Sequence, residues 1–227
     1  MIRRLPQDVI TTFSDQKSVT RRPKALIKND MIRSGDEAEV FRNRKGLFTL
    51  NVQAICDAEM KFLDLVVRWP GSTHDSTIFN ASRIHAKFIN NEIKDCFLVG
   101  DSGYACTNFM MTPLLRTNNR SEELYNESQI RTRNVIERTF GVWKRRFPIL
   151  VTGMRLKLST IQGVIVATGI LHNIALKMND PEPLINDEIQ LLLDEENDNT
   201  YNIVHTHTEQ SNVRRTLIAT YFSGLIR

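Results

Sequence analysis

A chain of 227 residues can bury one substantial hydrophobic core with a small appendage. Its 41% hydrophobic and 25% charged residues are those of a soluble globular protein and exclude a wholly disordered chain. The three cysteines, Cys56, Cys96 and Cys106, lack CxxC spacing, which excludes a disulfide scaffold and reads as reduced, mostly buried thiols of an intracellular protein.

The net charge of +4 is unevenly spread. From Met1 to Gly46 there are 11 Lys/Arg against 6 Asp/Glu, and from Arg131 to Lys157 there are 8 basic residues against Glu137 alone. From Asp180 to Val213 there are 9 acidic residues and no Lys or Arg. Basic segments beside an acidic tail suggest a polyanionic partner and a tail that solvates or shields the chain itself.

In chain order, Met1 to Pro6 shows no apolar signal-peptide core. Residues 1–35 are poorly patterned, and Ala25-Leu26-Ile27 is too short to establish a strand. Val40 to Gly46 places Arg42, Arg44 and Lys45 just before a strand, where they suit either phosphate contact or a solvated hairpin tip. Leu47 to Ile55 and Phe62 to Trp69 read as an antiparallel hairpin, with Asp57 structural in its turn. Pro70-Gly71 ends the second strand, and a helix is expected from about Thr77 to Phe88. Asp95 to Val99 reads as a third strand that delivers Asp101 into the turn Ser102-Gly103-Tyr104.

Ser121 to Ser128 is acidic and begins a long helical region, and Gln129 to Phe147 has helical periodicity, with an apolar face of Ile136, Phe140, Trp143 and Phe147 at i, i+4, i+7 and i+11. Pro148 ends it. Ser159 to Met178 is a second long helix, expected to be buried in the core rather than to span a membrane, with His172 a hydrogen-bonded core residue. Asn186 to Val213 is acidic, little patterned and expected to be flexible, while Thr216 to Ile226 is apolar enough to dock.

Three carboxylates stand where a solvated surface charge is not the natural reading: Asp75 after a strand-turn, Asp101 at the end of an apolar run, and Glu137 beside an apolar helix face. Each has a structural alternative. Asp75 can be an N-cap, Asp101 a turn residue, and Glu137 the i, i+4 partner of Arg133. If the three converge, they repel unless a divalent cation neutralises them; Mg2+ or Mn2+, taking oxygen ligands, is the expected ion.

Four ordered segments carry a resemblance. They are Val40 to Gly46, Arg68 to Ser76, Gly100 to Tyr104, and Arg133 to Phe147, with Leu171-His172-Asn173 closing the series. In this order they resemble the PIF/Harbinger family of transposase-derived nucleases, a branch of the DDE superfamily, from about Asp36 to about Met178. The resemblance implies an α/β, ribonuclease-H-like fold, a mixed central sheet flanked by helices. It implies that Asp75, Asp101 and Glu137 are the catalytic and metal-binding acids, and that DNA phosphodiester cleavage with two divalent ions is the chemistry. Arg133, Arg138, Lys144 and Arg145 become DNA-backbone contacts. The domain organisation expected is a basic segment over 1–35, a DDE-type endonuclease domain over 36–180 and an acidic tail over 181–227.

One departure matters. The family's first catalytic Asp stands in an Asp-Gly-Thr-His segment on the first core strand; this chain has Ala25-Leu26-Ile27-Lys28-Asn29-Asp30 there, and the role is not carried to Asp30. The family's N-terminal DNA-binding helices have no counterpart in these residues. DNA is the partner the resemblance implies, and a separate DNA-binding protein is a second candidate. The location implied is the nucleus, with the cytoplasm second. The alternative function is an inactive descendant, a DNA-binding or protein-interaction module. An unrelated phosphohydrolase is disfavoured, because no Gly-rich phosphate loop is visible.

Overall fold

The computed structural model describes residues 18–20, 24–27, 40–41, 48–198 and 211–226. Two short strands, β1 (Ser18–Thr20) and β2 (Lys24–Ile27), lie end to end along one edge of β3 (Phe48–Cys56). They come from the unpatterned N-terminal stretch, because three or four residues hold too few alternations to show a period. The other edge of β3 pairs with β4 (Phe62–Pro70) in the expected hairpin. Asp57 closes its turn, with Oδ1 accepting from the amides of Glu59 (3.1 Å) and Lys61 (2.9 Å).

β5 (Leu98–Val99) runs parallel to β1, and β6 (Met110–Met111) parallel to β5. The order across the sheet is β4, β3, β1 with β2, β5, β6. Only the last two residues of the strand expected over Asp95–Val99 are extended. Asp95 has φ 55°, a left-handed conformation that breaks the run.

The side chains of β3 alternate, and the alternation sorts the molecule into layers. Leu50, Val52, Ala54 and Cys56 join one apolar cluster with Phe62, Ile136, Phe140, Trp143, Ile161 and Ile165. Ile55, on the opposite face, joins Phe79, Phe88, Leu98, Tyr104 and Met110. Thr49, Asn51 and Gln53 share that second face and are buried, which is unusual for a central strand.

On the second face lie α1 (Asp75–Asn80) and α2 (Arg83–Ile89). The single helix expected over 77–88 is broken because the Ser82 hydroxyl accepts from His85 N (3.2 Å) and starts a new one. On the first face lies α3 (Arg120–Arg146), which takes in the acidic Ser121–Ser128 stretch expected to begin the helical region. Asn119 caps it by accepting from Glu122 N at 3.0 Å. Glu122 reaches back to Asn118 N at 2.7 Å. The aromatic face of α3 meets the sheet as its spacing predicts, with Trp143 edge-on to Phe62 at 5.0 Å. After α4 (Ile149–Thr152), α5 (Leu158–Lys177) packs on β4.

By length and composition α5 could cross a membrane, and the sequence places it in the core. It is buried on one side only. Ile161, Ile165 and His172 face the sheet, while Val166, Ile170 and Ile174 are exposed, because α5 is an outer layer with nothing described beyond it. His172 Nε2 bonds Met60 O at 3.0 Å, and Asn173 pairs with both the amide and the carbonyl of Phe62 (2.8 Å each). These two residues pin the hairpin turn to α5.

The acidic stretch expected to be flexible contains a helix, α6 (Asp187–Asp198). Asn186 Oδ1 accepts from Ile189 N (3.2 Å), and acids in the first turn suit the helix dipole. Finally α7 (Asn212–Leu217) and a π-helical turn over Ile218–Phe222 bury Leu217 and Phe222 against Tyr125 of α3.

Candidate functional site

β4 ends at Pro70, and Gly71 turns the chain over the polar face of β3. Its amide donates to Thr49 O at 2.7 Å, and a Cβ at Gly71 would stand 1.8 Å from Thr49 Oγ1, so only glycine permits this approach. Asn51 Nδ2 then donates to Thr73 O (2.9 Å), and Gln53 Nε2 to Asp75 O (3.3 Å). The buried polar residues of β3 thus hold the backbone that carries Asp75. Asp75 is the first residue of α1; the N-cap position belongs to His74, whose side chain makes no cap hydrogen bond. The N-cap reading of Asp75 is thereby corrected.

β5 delivers Asp101. Its Oδ1 accepts from Gly103 N (2.8 Å) and its carbonyl from Tyr104 N (3.2 Å), so the turn role is real. It does not exhaust the carboxylate. The point where a Gly103 Cβ would stand lies 3.0 Å from Asp101 Oδ1 and 3.8 Å from Asp75 Oδ2. Two carboxylates from separate segments therefore border one small space that glycine leaves open. Two hard oxygen donors bordering one space are of the chemical type that a divalent cation such as Mg2+ takes, since it binds through one or two carboxylates and completes its shell with waters and phosphate oxygens.

Glu137 stands apart. Its Oε1 lies 3.4 Å from Arg133 Nη2, one turn earlier on α3, and its side chain is 41% exposed. Among the described residues no three His, Cys, Asp or Glu side chains gather closely enough to hold a metal. Of the convergence expected for Asp75, Asp101 and Glu137, this structure brings together the first two, while the Arg133 guanidinium engages the third. Asp30 lies outside the described residues. The parallel register puts Ser18 beside Val99, so Thr20 is the β1 position level with Asp101.

The expected phosphate contacts fare unevenly. Arg42, Arg44 and Lys45 lie outside the described residues. Lys144 is only 5% exposed and presents no surface to a backbone phosphate, because it falls on the buried side of α3 beside Trp143. Arg138 pairs with Glu182, and Arg145 Nη2 lies 3.9 Å from the same carboxylate. Arg146 pairs with Asp180 and donates to Pro181 O at 3.0 Å. The start of the acidic tail therefore lies across the basic end of α3. Sequence reasoning missed Asn51, Gln53 and Tyr104 as supports of the site; the signal was polar residues at alternate positions of an otherwise apolar strand.

Fold and site together define an α/β protein with a carboxylate pair beside the end of a parallel strand. Residues 21–173 match the family described as DDE superfamily endonuclease, and the chain belongs to it. It is 32% identical over 140 residues to the human protein named "Putative nuclease HARBI1" and 32% identical over 139 residues to the mouse protein of that name. Each of these alignments covers 60% of this chain and 40% of the relative. It is also 24% identical over 149 residues to an Arabidopsis thaliana protein named "Protein ALP1-like", covering 59% of this chain and 36% of that one. The chain thus spans well under half the length of these relatives. No solved structure matches it.

Proposed function

We propose that this chain carries the catalytic core of a divalent-metal-dependent endonuclease of transposase descent that hydrolyses DNA phosphodiester bonds. The observation that carries the reading is the Asp75–Asp101 pair facing across Gly103 in a chain of this family. The sheet order, with an antiparallel hairpin followed by β1, β5 and β6 in parallel, supports a ribonuclease-H-like fold. A bound cation would supply polarisation of the scissile phosphate and a water of lowered pKa. Asp75 and Asp101 would hold it, and the Gly103 amide would orient Asp101. Glu137 is the third acid of the proposal, paired with Arg133 in this structure. Arg138 and Arg145 would bind the DNA backbone without choosing sequence. A DNA substrate puts the protein in the nucleus, and a separate partner supplies target recognition.

The second reading is a non-catalytic module of the same descent. It is favoured by one observation, that no third acid joins the pair among the described residues. Calorimetric titration of Mn2+ into the wild type and Asp101→Asn separates the two. Binding that the variant loses, followed by metal-dependent nicking of plasmid DNA, supports the nuclease. No binding by either protein supports the module.

A further inference from the structure

We propose that Gln53 is a positioning residue that ties the two carboxylate-bearing loops to each other. The proposal rests on the reading of Asp75 and Asp101 as one site.

Gln53 is 4% exposed at the centre of β3, in a sheet whose opposite face is wholly apolar at Leu50, Val52, Ala54 and Cys56. A strand selected for packing alone would be apolar at this position too, since a buried amide is costly unless its polar atoms are bonded, and Gln53 leaves its Oε1 buried without a partner among the described residues. Both of its hydrogens have partners. Nε2 donates to Asp75 O (3.3 Å) and to Tyr104 Oη (3.1 Å). A carboxamide has two N–H donors on one rigid planar group, so one partner cannot move without the other feeling it.

Tyr104 is 2% exposed and packs edge-on against Phe79 at 5.9 Å. Its amide bonds Asp101 O, next in the chain to the Gly103 amide that holds Asp101 Oδ1. A continuous path therefore runs from the Asp75 backbone through the Gln53 amide and the Tyr104 ring to Asp101. Asn51 makes the neighbouring bond, to Thr73 O, and reaches only the first loop. Asn51 supports a loop; Gln53 sets the distance between loops. Supporting groups of this kind typically change metal affinity 10–100-fold when removed.

The test compares the full chain with Gln53→Leu, Tyr104→Phe and the double variant, with Leu217→Ala as a control destabilised at a remote cluster. The first readout is amide hydrogen exchange at Thr73 and Thr77 on one side and at Gly103 and Tyr104 on the other. Gln53→Leu is expected to speed exchange on both sides together, about tenfold, with the control leaving them unchanged. The second readout is Mn2+ affinity, expected to fall about tenfold in Gln53→Leu and in Tyr104→Phe, with the double variant no worse than Gln53→Leu alone. Exchange that rises on one side only, or effects of the two substitutions that add, would overturn the proposal. If Gln53→Leu does not fold, Tyr104→Phe keeps the ring and cuts the same link, and must by itself loosen the Gly103 amide. If the wild type binds no Mn2+, the nuclease reading fails while the exchange data still decide the role of Gln53.

Discussion

Gly103→Ala perturbs the carboxylate pair without altering a charge. The new methyl carbon would stand 3.0 Å from Asp101 Oδ1 and 3.8 Å from Asp75 Oδ2. The longer distance is an ordinary contact. The shorter one is tight by a few tenths of an ångström, so the Asp101 carboxylate has to swing aside. That weakens its 2.8 Å bond from the Gly103 amide, an interaction worth about 1.5–3 kcal/mol when intact. Gly103 is not left-handed, so alanine brings no backbone strain and offsets about 0.4–1 kcal/mol by restricting the unfolded chain. The net destabilisation is about 1 kcal/mol, or about 2–4 °C in Tm for a chain of this size. Mn2+ affinity is expected to fall about tenfold, which is about 1.4 kcal/mol, because one of two protein ligands is displaced. Calorimetric titration and thermal unfolding on the same sample measure both. Wild-type Mn2+ affinity would refute the pair as a metal site. A Tm loss beyond about 10 °C would make Gly103 a packing residue instead.

The ion pairs at the end of α3 predict that Asp180→Asn with Glu182→Gln exposes Arg138, Arg145 and Arg146 to a polyanion. Affinity for a random duplex should rise several-fold, and the salt dependence should steepen by about two units of slope; an unchanged titration would show that the tail does not compete with DNA. His172 predicts a pH effect. Burial, the larger cause, and the nearby Arg146 charge lower its pKa below the usual value despite the bond to Met60 O. Its contribution to stability is therefore present above about pH 6.5 and lost as pH falls toward the lower folded value. Denaturant unfolding from pH 7.5 to 5 should show a flatter slope in His172→Gln, and equal slopes would remove His172 as the cause.

Long periodic elements were legible in the sequence, and short ones were not. The aromatic spacing of α3 and the alternation of β3 match their buried faces, because each repeats its period several times, whereas β4 buries Phe62 and Val67 across register shifts in its pairing with β3. β1 and β2 were invisible because their places are set by pairing to β3 rather than by their own pattern. Asp75 and Asp101 are 26 positions apart, and their shared space depends on Gly71 and Gly103, whose need for a missing Cβ is created only by the fold. Glu137 and Lys144 show the converse difficulty. Helical spacing puts both on the flank of an apolar face, but it cannot tell that one pairs with Arg133 while the other turns inward. A charge count located the basic and acidic segments correctly as compositions, yet only the chain path through Asp180 and Pro181 brings one onto the other.

A site with two protein carboxylates has a consequence for how metal and DNA should bind. Mg2+ prefers six oxygen ligands in near-octahedral geometry, and two carboxylates leave most of them to water. Alone, such a pair should hold the ion weakly. A scissile phosphate brought to the same place adds oxygens to the shell, and the loss of repulsion between phosphate and carboxylates adds to the gain. Linkage then requires reciprocity: whatever factor DNA adds to metal affinity, metal adds to DNA affinity. Coupling of about 5–150-fold is the usual range. Titrating Mn2+ with and without a saturating duplex, and the duplex with and without Mn2+, measures the factor from both directions. Equal factors above about fivefold, lost together in Asp101→Asn, would place the phosphate in the metal shell. A duplex that binds equally well with and without Mn2+ would mean that the basic surface and the carboxylate pair serve separate ends, and the DNA-binding module would then describe the chain better than the nuclease.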